Sequence, residues 1–263
     1  MGKIELRSIS FSYQGARGET SALEDISLNI EEGEFVCLLG PSGCGKSTLL
    51  SLLEGLNRPL SGEILIDGKP VDGPGTDRAV VFQHYSLFPW LTARKNIIFG
   101  IRQSGCRDAQ AKMREKADRY LREVGLGDAG DKYPAELSGG MQQRVAIARA
   151  LAMESEILLM DEPFGAIDPK LRASLQELVS SLCRGHRKTV VFVTHDIDEA
   201  IILADRIVVM EPKRIRSVER VELPFPRRQD GLVYSDEAIL LRKRLMSYFY
   251  ERVAREIDSE VVL

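Results

Sequence analysis

GPSGCGKST, residues 40–48, follows the apolar run FVCLL and sets three glycines ahead of a lysine and two hydroxyls. An unbroken apolar run of this length reads as a strand buried on both faces. The next segment, STLLSLLEGL, has helical spacing and stops near Gly55, with Pro59 beyond it. Strand, glycine loop, helix is the context that G-x-x-x-x-G-K-[ST] requires. Gly40, Gly45, Lys46 and Ser47 satisfy it, and Gly43 is an extra glycine. Glycine lets successive backbone N–H groups converge, and the helix start adds unpaired donors and a positive dipole end. The stretch predicts a phosphate nest over Gly40, Pro41, Ser42, Gly43, Cys44 and Gly45. Lys46 is expected at the β and γ phosphates, Ser47 on Mg²⁺, and Thr48 on the α-phosphate side.

Outward from the loop, KIELRSISFSY alternates, and SLNI and GEILIDG read as further short strands. RAVVFQ, residues 78–83, is another. Beyond it KMREKADRYLREVGL places Met113, Ala117, Leu121 and Val124 on one helical face and closes at Gly125. A second helix begins at Ser138 and runs through MQQRVAIARALA. The apolar runs EILLMDE and TVVFVTHD return to buried strands, with helical LRASLQELVSSL between them. That β-α-β alternation predicts an α/β fold with a parallel sheet, into which the helical stretch of about residues 86–154 is inserted. In the tail, Ile239, Leu245, Met246, Phe249, Val253 and Ile257 form an apolar stripe. Arg242 to Arg244 are offset by Asp236, Glu237, Glu251 and Glu256, which favours packing on the body or a partner over a membrane surface.

Thirty-six basic and thirty-nine acidic residues in 263 leave a net charge of -3, so no basic excess advertises nucleic acid. MGKIELRSISFSY has charge and alternation where a signal peptide has an apolar core, so export is not expected. No apolar run approaches the roughly 20 residues that cross a bilayer. Cys37, Cys44, Cys106 and Cys183 form no CxxC pair, which argues against a disulfide or metal framework and fits a reducing cytoplasm.

Three further stretches carry chemistry. ILLMDE delivers Asp161 and Glu162 at the end of a buried strand, where α/β sheets bind ligands. Asp161 suits a Mg²⁺ shell, and Glu162 is placed to polarise a water; alone, the pair reads equally well as a helix cap. His195 ends the next buried strand, hence the same edge, although a lone histidine is more often structural. In LSGGMQQR, residues 137–144, Ser138, Gly139 and Gly140 open a helix and form a second anion site. Two such helix starts serve one nucleotide only if they face each other, most simply across a two-fold dimer.

With these residues in view, the chain resembles ABC transporter ATP-binding subunits over about residues 3–228. The resemblance implies a P-loop NTPase (RecA-like) parallel-sheet core with an N-terminal antiparallel β subdomain and an inserted helical subdomain. It divides the chain into an ATPase domain, 1–228, and a C-terminal helical extension, 229–263. GPSGCGKST is then Walker A, ILLMDE is Walker B with Glu162 as catalytic glutamate, and LSGGM is the signature that meets ATP on the opposite subunit. Gln83 matches the Q-loop, which touches Mg²⁺ and the permease interface; Gly165 to Asp168 match the D-loop at the dimer seam; His195 matches the switch histidine. Tyr13 matches the aromatic that stacks on adenine, though a strand aromatic also reads as core packing. Met141 departs from the generic LSGGQ, without consequence for donors supplied by Ser138 and the backbone.

Met141, DGPGTDRAVVFQ, LFPWLTARKNIIFG with its Pro89-Trp90 pair, and LPFPRR are similar to the importer branch for nitrate, sulfonate and taurine. The resemblance implies a homodimer on the cytoplasmic face of the inner membrane, peripheral to it. It also implies a permease docked at the Q-loop and helical subdomain, an external solute-binding protein acting indirectly, and no nucleic acid. Exposed Leu87, Phe88 and Trp90 are expected to form a socket for the permease, with Trp90 in the subdomain's own core as the other reading. The competing function is a soluble clamp ATPase acting on nucleic acid or ribosomes, against which stand a single motif set and no heptad insertion.

Overall fold

The computed structural model describes residues 2–15, 18–83, 85–165, 167–227 and 235–260, without the side chains of 170 and 250–260. The chain opens with β1 (Ile4–Gly15) and β2 (Gly18–Ile30), an antiparallel pair. Alternation in β1 slips by one residue, with Leu6 and Ile9 both buried. A bulge around Ser8, whose φ is 49°, absorbs the slip and keeps Leu6 opposite Leu28 and Ile9 opposite Ile26. After β3 (Phe35–Leu39) and α1 (Lys46–Glu54), β4 (Ser61–Ile66) and β5 (Lys69–Pro70) complete a four-stranded antiparallel sheet in the order β2-β1-β4-β5.

Next come β6 (Arg78–Val81), α2 (Ala93–Gln103), α3 (Gln110–Glu123) and α4 (Gly139–Ala152), then β7 (Ile157–Asp161), α5 (Pro169–Gly185) and β8 (Thr189–Thr194). α6 (Ile197–Leu203), β9 (Arg206–Glu211), β10 (Arg214–Arg220) and α7 (Asp236–Glu260) follow. The second sheet has six strands in the order β10-β9-β3-β8-β7-β6, parallel except where β10 returns along β9.

Its central strands alternate between two cores. Val36, Leu38, Leu159, Val191 and Val193 pack with α1 and the antiparallel sheet. Cys37, Leu39, Leu158, Met160 and Phe192 pack with the helices on the opposite face. Both faces are covered, which is why these strands read as unbroken apolar runs. Phe192 lies between Phe35 and Phe164, with ring centroids 5.9 and 5.6 Å away, and burial of such a ring contributes about 1.5–3 kcal/mol.

The expected strands and helices form, with RAVVFQ pairing only as far as Val81. α2 lies within the stretch of about 86–154 expected to be helical but was not set apart as its own helix, and α6, β9 and β10 had no expectation. α2 is masked by Gly100, a poor helix former that is needed here: a Cβ would stand 2.6 Å from the Arg149 carbonyl oxygen of α4. The tail helix packs on the body, but its face is corrected. Ala238, Leu241 and Leu245 are buried, whereas Met246 is exposed and Ile239 is only half-buried. Arg242 pairs with Asp198 of α6, and Glu219 of β10 accepts from Arg244 at 3.0 Å and Tyr248 at 2.7 Å, so these pairs fix the rotation of the helix. Residues 228–234, which hold the expected 228/229 boundary, and the side chains of Val253 and Ile257 lie outside the described residues. No disulfide joins any of the four cysteines, and Cys37, Cys44 and Cys183 are buried. Among the described residues no helix is long and apolar enough to cross a membrane.

Candidate functional site

Parallel strands end together. Leu39 pairs with Thr194, Asp161 with Val193 and Val81 with Met160, so the loops after β3, β8, β7 and β6 leave one edge of the sheet. That edge carries the glycine loop, His195, Glu162 and Gln83, and it is where open α/β sheets take their ligands.

In the glycine loop Gly43 has φ 77° and Gly45 has φ 111°. Gly45 has no alternative residue: besides its left-handed φ, a Cβ would stand 2.7 Å from Leu23 and 2.9 Å from the Ala22 carbonyl oxygen. It also caps α1 without a side-chain bond, so the first-turn N–H groups stay free to face an anion. Lys46 is buried, and its Nζ donates to the Gly40 and Pro41 carbonyl oxygens at 2.7 and 2.9 Å, holding a cation inside the curl of the loop. Cys44 anchors the loop from below, while Ser42 and Gly43 are exposed. Tyr13, half-exposed on β1, meets Phe11 edge to face, and its hydroxyl lies 3.2 Å from Thr48 Oγ1. The aromatic expected at the adenine therefore borders the glycine loop.

Ser47 Oγ donates to Asp161 Oδ1 at 3.3 Å across the gap between α1 and β7. Burial raises the Asp161 pKa above the usual carboxylate value; the Ser47 hydrogen bond lowers it, Glu162 raises it, and Lys46 lowers it. A hydroxyl and a carboxylate at this spacing fit Mg²⁺, which takes one or two protein oxygens and completes its shell with phosphates and water. Among the described residues no group of three or more His, Cys, Asp or Glu offers a rival metal site. Glu162 sits at φ 41°, an uncommon left-handed value for glutamate, with its N–H donating to the Val193 carbonyl oxygen at 3.1 Å. Its Oε2 lies 3.1 Å from Nδ1 of His195, so the acid and the imidazole form a pair. Gln83 is exposed beyond β6, and its Nε2 would stand 3.5 Å from a Cβ at Gly165.

Ser138 caps α4, accepting from the Met141 N–H at 3.4 Å. Among the described residues no hydrogen bond joins Ser138, Gly139 or Gly140 to the glycine loop. Their neighbours lie elsewhere: a Cβ at Gly139 would meet the Tyr85 hydroxyl at 2.7 Å, and one at Gly140 would run into the side chain of Leu171 of α5. One protomer thus gathers Lys46, Ser47, Asp161, Glu162 and His195, and it displays Ser138–Gly140 separately. Of the D-loop stretch, Ala166 lies outside the described residues, and Asp168 caps α5 by accepting from Leu171 N–H at 3.1 Å.

The expected aromatic socket is partly corrected. Trp90 is 70% exposed, but Leu87 and Phe88 are half-buried, and Phe88 is gripped by Phe99 at 4.6 Å and Arg149 at 5.7 Å. Buried Asn96, not singled out from the sequence, fixes this loop by accepting from Phe88 N–H and donating to the Leu91 and Thr92 carbonyls. Arg172 and Glu199 were not singled out either, because Lys170, Glu177 and Asp198 on the same two helices make their charges ordinary in sequence.

The geometry agrees with what comparison finds. The family description "ABC transporter" matches residues 23–165. The nitrate import ATP-binding protein NrtD of Synechococcus elongatus is 42% identical over 260 residues, covering 98% of this chain and 95% of that protein. The bicarbonate transport ATP-binding protein CmpD of Synechocystis sp. is 42% identical over 256 residues, covering 96% and 91%. Among solved structures, the dimeric post-hydrolysis state of the ATP-binding cassette MJ0796 bound to ADP and Pi superposes with a TM-score of 0.75 at 34% identity, covering 84% of this chain and all of that one. A soluble clamp ATPase on nucleic acid or ribosomes is not favoured by these likenesses.

Proposed function

The chain belongs to the ABC transporter family and is an ATPase coupled to transport, and on that premise we propose that it powers uptake of a small anion of the nitrate, bicarbonate or sulfonate type. The observation that carries the mechanistic part is the separation of Ser138–Gly140 from the cluster at the sheet edge. A nucleotide held by Gly40–Thr48 of one protomer is closed over by Ser138–Gly140 of a second copy, so ATP is the adhesive of a homodimer. Tyr13 offers its ring to the base, and Lys46 offers its ammonium to the β and γ phosphates. Ser47, Asp161 and Gln83 are the residues that would hold Mg²⁺, which supplies charge neutralisation of the transferring phosphoryl group. Glu162 takes the proton of the attacking water, and His195, 3.1 Å away, keeps its carboxylate oriented.

The chain divides into an ATPase domain over 1–228, with the helices of about 86–154 as a subdomain, and a helical extension over 229–263. Its place is the cytoplasmic face of the inner membrane, bound to a permease through Gln83 and the aromatic group at Trp90, with a solute-binding protein beyond. The test is affinity purification of the tagged chain from gently solubilised membranes, followed by mass spectrometry. A stoichiometric multi-span permease is the expected result; ribosomal, nucleic-acid or purely soluble partners under several detergents would overturn it.

A further inference from the structure

His195 is 60% exposed along its side chain, so its position depends on the main chain on either side. Both neighbours are tied down. Thr194, buried under the edge, donates to Glu199 Oε2 at 2.7 Å and accepts from the Asp196 N–H at 3.0 Å. Asp196 caps α6, accepting from Asp198 and Glu199 N–H at 2.8 and 3.2 Å. The other oxygen of Glu199 accepts from Gln176 Nε2 of α5 at 3.3 Å and faces Arg172 Nε at 3.9 Å. Arg172 reaches Asp196 at 3.7 Å through Nη1, and through Nη2 it donates to the Ile167 carbonyl oxygen at 3.2 Å.

We propose that Glu199 and Arg172 are positioning residues for hydrolysis, fixing the loop of His195 to the segment at Ile167 that leads into α5. This rests on the ATPase reading above. Glu199 is 6% exposed, and burying a carboxylate carries a desolvation penalty that an apolar residue packing α6 on β8 would not incur. What the carboxylate adds is direction: one oxygen on the residue before His195, the other on α5, whose first turn puts Leu171 beside Gly140. The run Ile167, Arg172, Glu199, Thr194, His195, Glu162 is continuous in contact. A shift at Ile167 as a second copy closes is thereby carried to the imidazole and its partner acid.

The experiment is single-turnover hydrolysis of γ-labelled ATP by the full chain in excess. Glu199→Gln and Arg172→Lys are each placed in the native and His195→Ala backgrounds, with affinity for a fluorescent ATP analogue read in parallel. We expect each to slow hydrolysis about tenfold or more in the native background, to leave nucleotide affinity within about twofold, and to add nearly nothing after His195→Ala. Thr194→Ser keeps the hydroxyl and retains the native rate, whereas Thr194→Val behaves as Glu199→Gln. Equal losses in both backgrounds, or rate and affinity falling together, overturn the proposal alone. No hydrolysis by the unsubstituted chain overturns the ATPase reading and the proposal with it. If Glu199→Gln fails to fold, Arg172→Lys, at a half-buried site, decides the cycle.

Discussion

Nδ1 of His195 stands 3.1 Å from Oε2 of Glu162, although the two residues leave different strands and α5 intervenes in the chain. The contact exists because β7 and β8 are parallel neighbours, so each presents the residue after its last rung at the same edge. Glu162 reaches its partner by adopting φ 41°, a conformation that costs on the order of 1–3 kcal/mol unless the surroundings hold it.

Removing the charge of Glu162 separates binding from hydrolysis. Glu162→Gln keeps the size and leaves the glycine loop untouched, so ATP still binds while turnover falls by about 100-fold or more. Size-exclusion chromatography with ATP then shows a stable dimer that the unsubstituted chain forms only transiently. Near-native turnover refutes Glu162 as the base.

Glu54 gives a pH dependence with a definite sign. It is buried at the end of α1, and burial, reinforced by the charge of Asp161, pushes its pKa up from 4.5 to about 7. Between those values the folded chain holds a proton that the unfolded chain has released, so this group makes stability fall as pH rises from about 4.5 to about 7. Glu54→Gln removes the penalty. We expect it to melt several degrees higher than the parent at pH 8, on the order of 2 kcal/mol, and to show no gain near pH 4.5. Thermal unfolding at both pH values decides it.

Arg227 explains physically why LPFPRR matters. Its guanidinium is 5% exposed and donates to the carbonyl oxygens of Leu223, Ile201, Ala204 and Val221, bracing the end of α6. Phe225 is sandwiched between it and Arg184, at 3.8 and 3.4 Å. Burial lowers the Arg227 pKa to about 10. Arg227→Met strands those carbonyls and is expected to cost about 2–4 kcal/mol in a denaturant titration while leaving ATP affinity unchanged. A loss of nucleotide affinity without a loss of stability contradicts this structural role.

Trp90 is predicted to act only in company. At 70% exposure, Trp90→Ala changes the folding free energy by no more than about 0.5 kcal/mol. Recovery of the permease with the tagged chain is expected to fall several-fold. Unchanged recovery moves the docking surface away from the aromatic group.

Local pattern carried much of this protein. The glycine loop, the acids after ILLMDE and the serine cap before GGMQQR each state their chemistry within a few residues, because a nest, a strand end and a helix start are local objects. The same locality gave β3, β7, β8 and α4 their expected places. What depends on contacts between distant segments was not legible. The bounds of α2 within the helical stretch were blurred by Gly100, since only the approach of α4 makes that glycine useful, and the buried face of α7 was misjudged because Asp198 and Glu219, far away in the chain, set its rotation. Phe88 read as exposed, since nothing nearby in sequence announces the grip of Arg149. The sequence by itself determined which groups are the candidates for holding phosphate. Only the tertiary structure decided which of them meet in one protomer and which stand apart, because parallel strands bring distant residues to a common edge while the Ser138 helix start keeps its own neighbours.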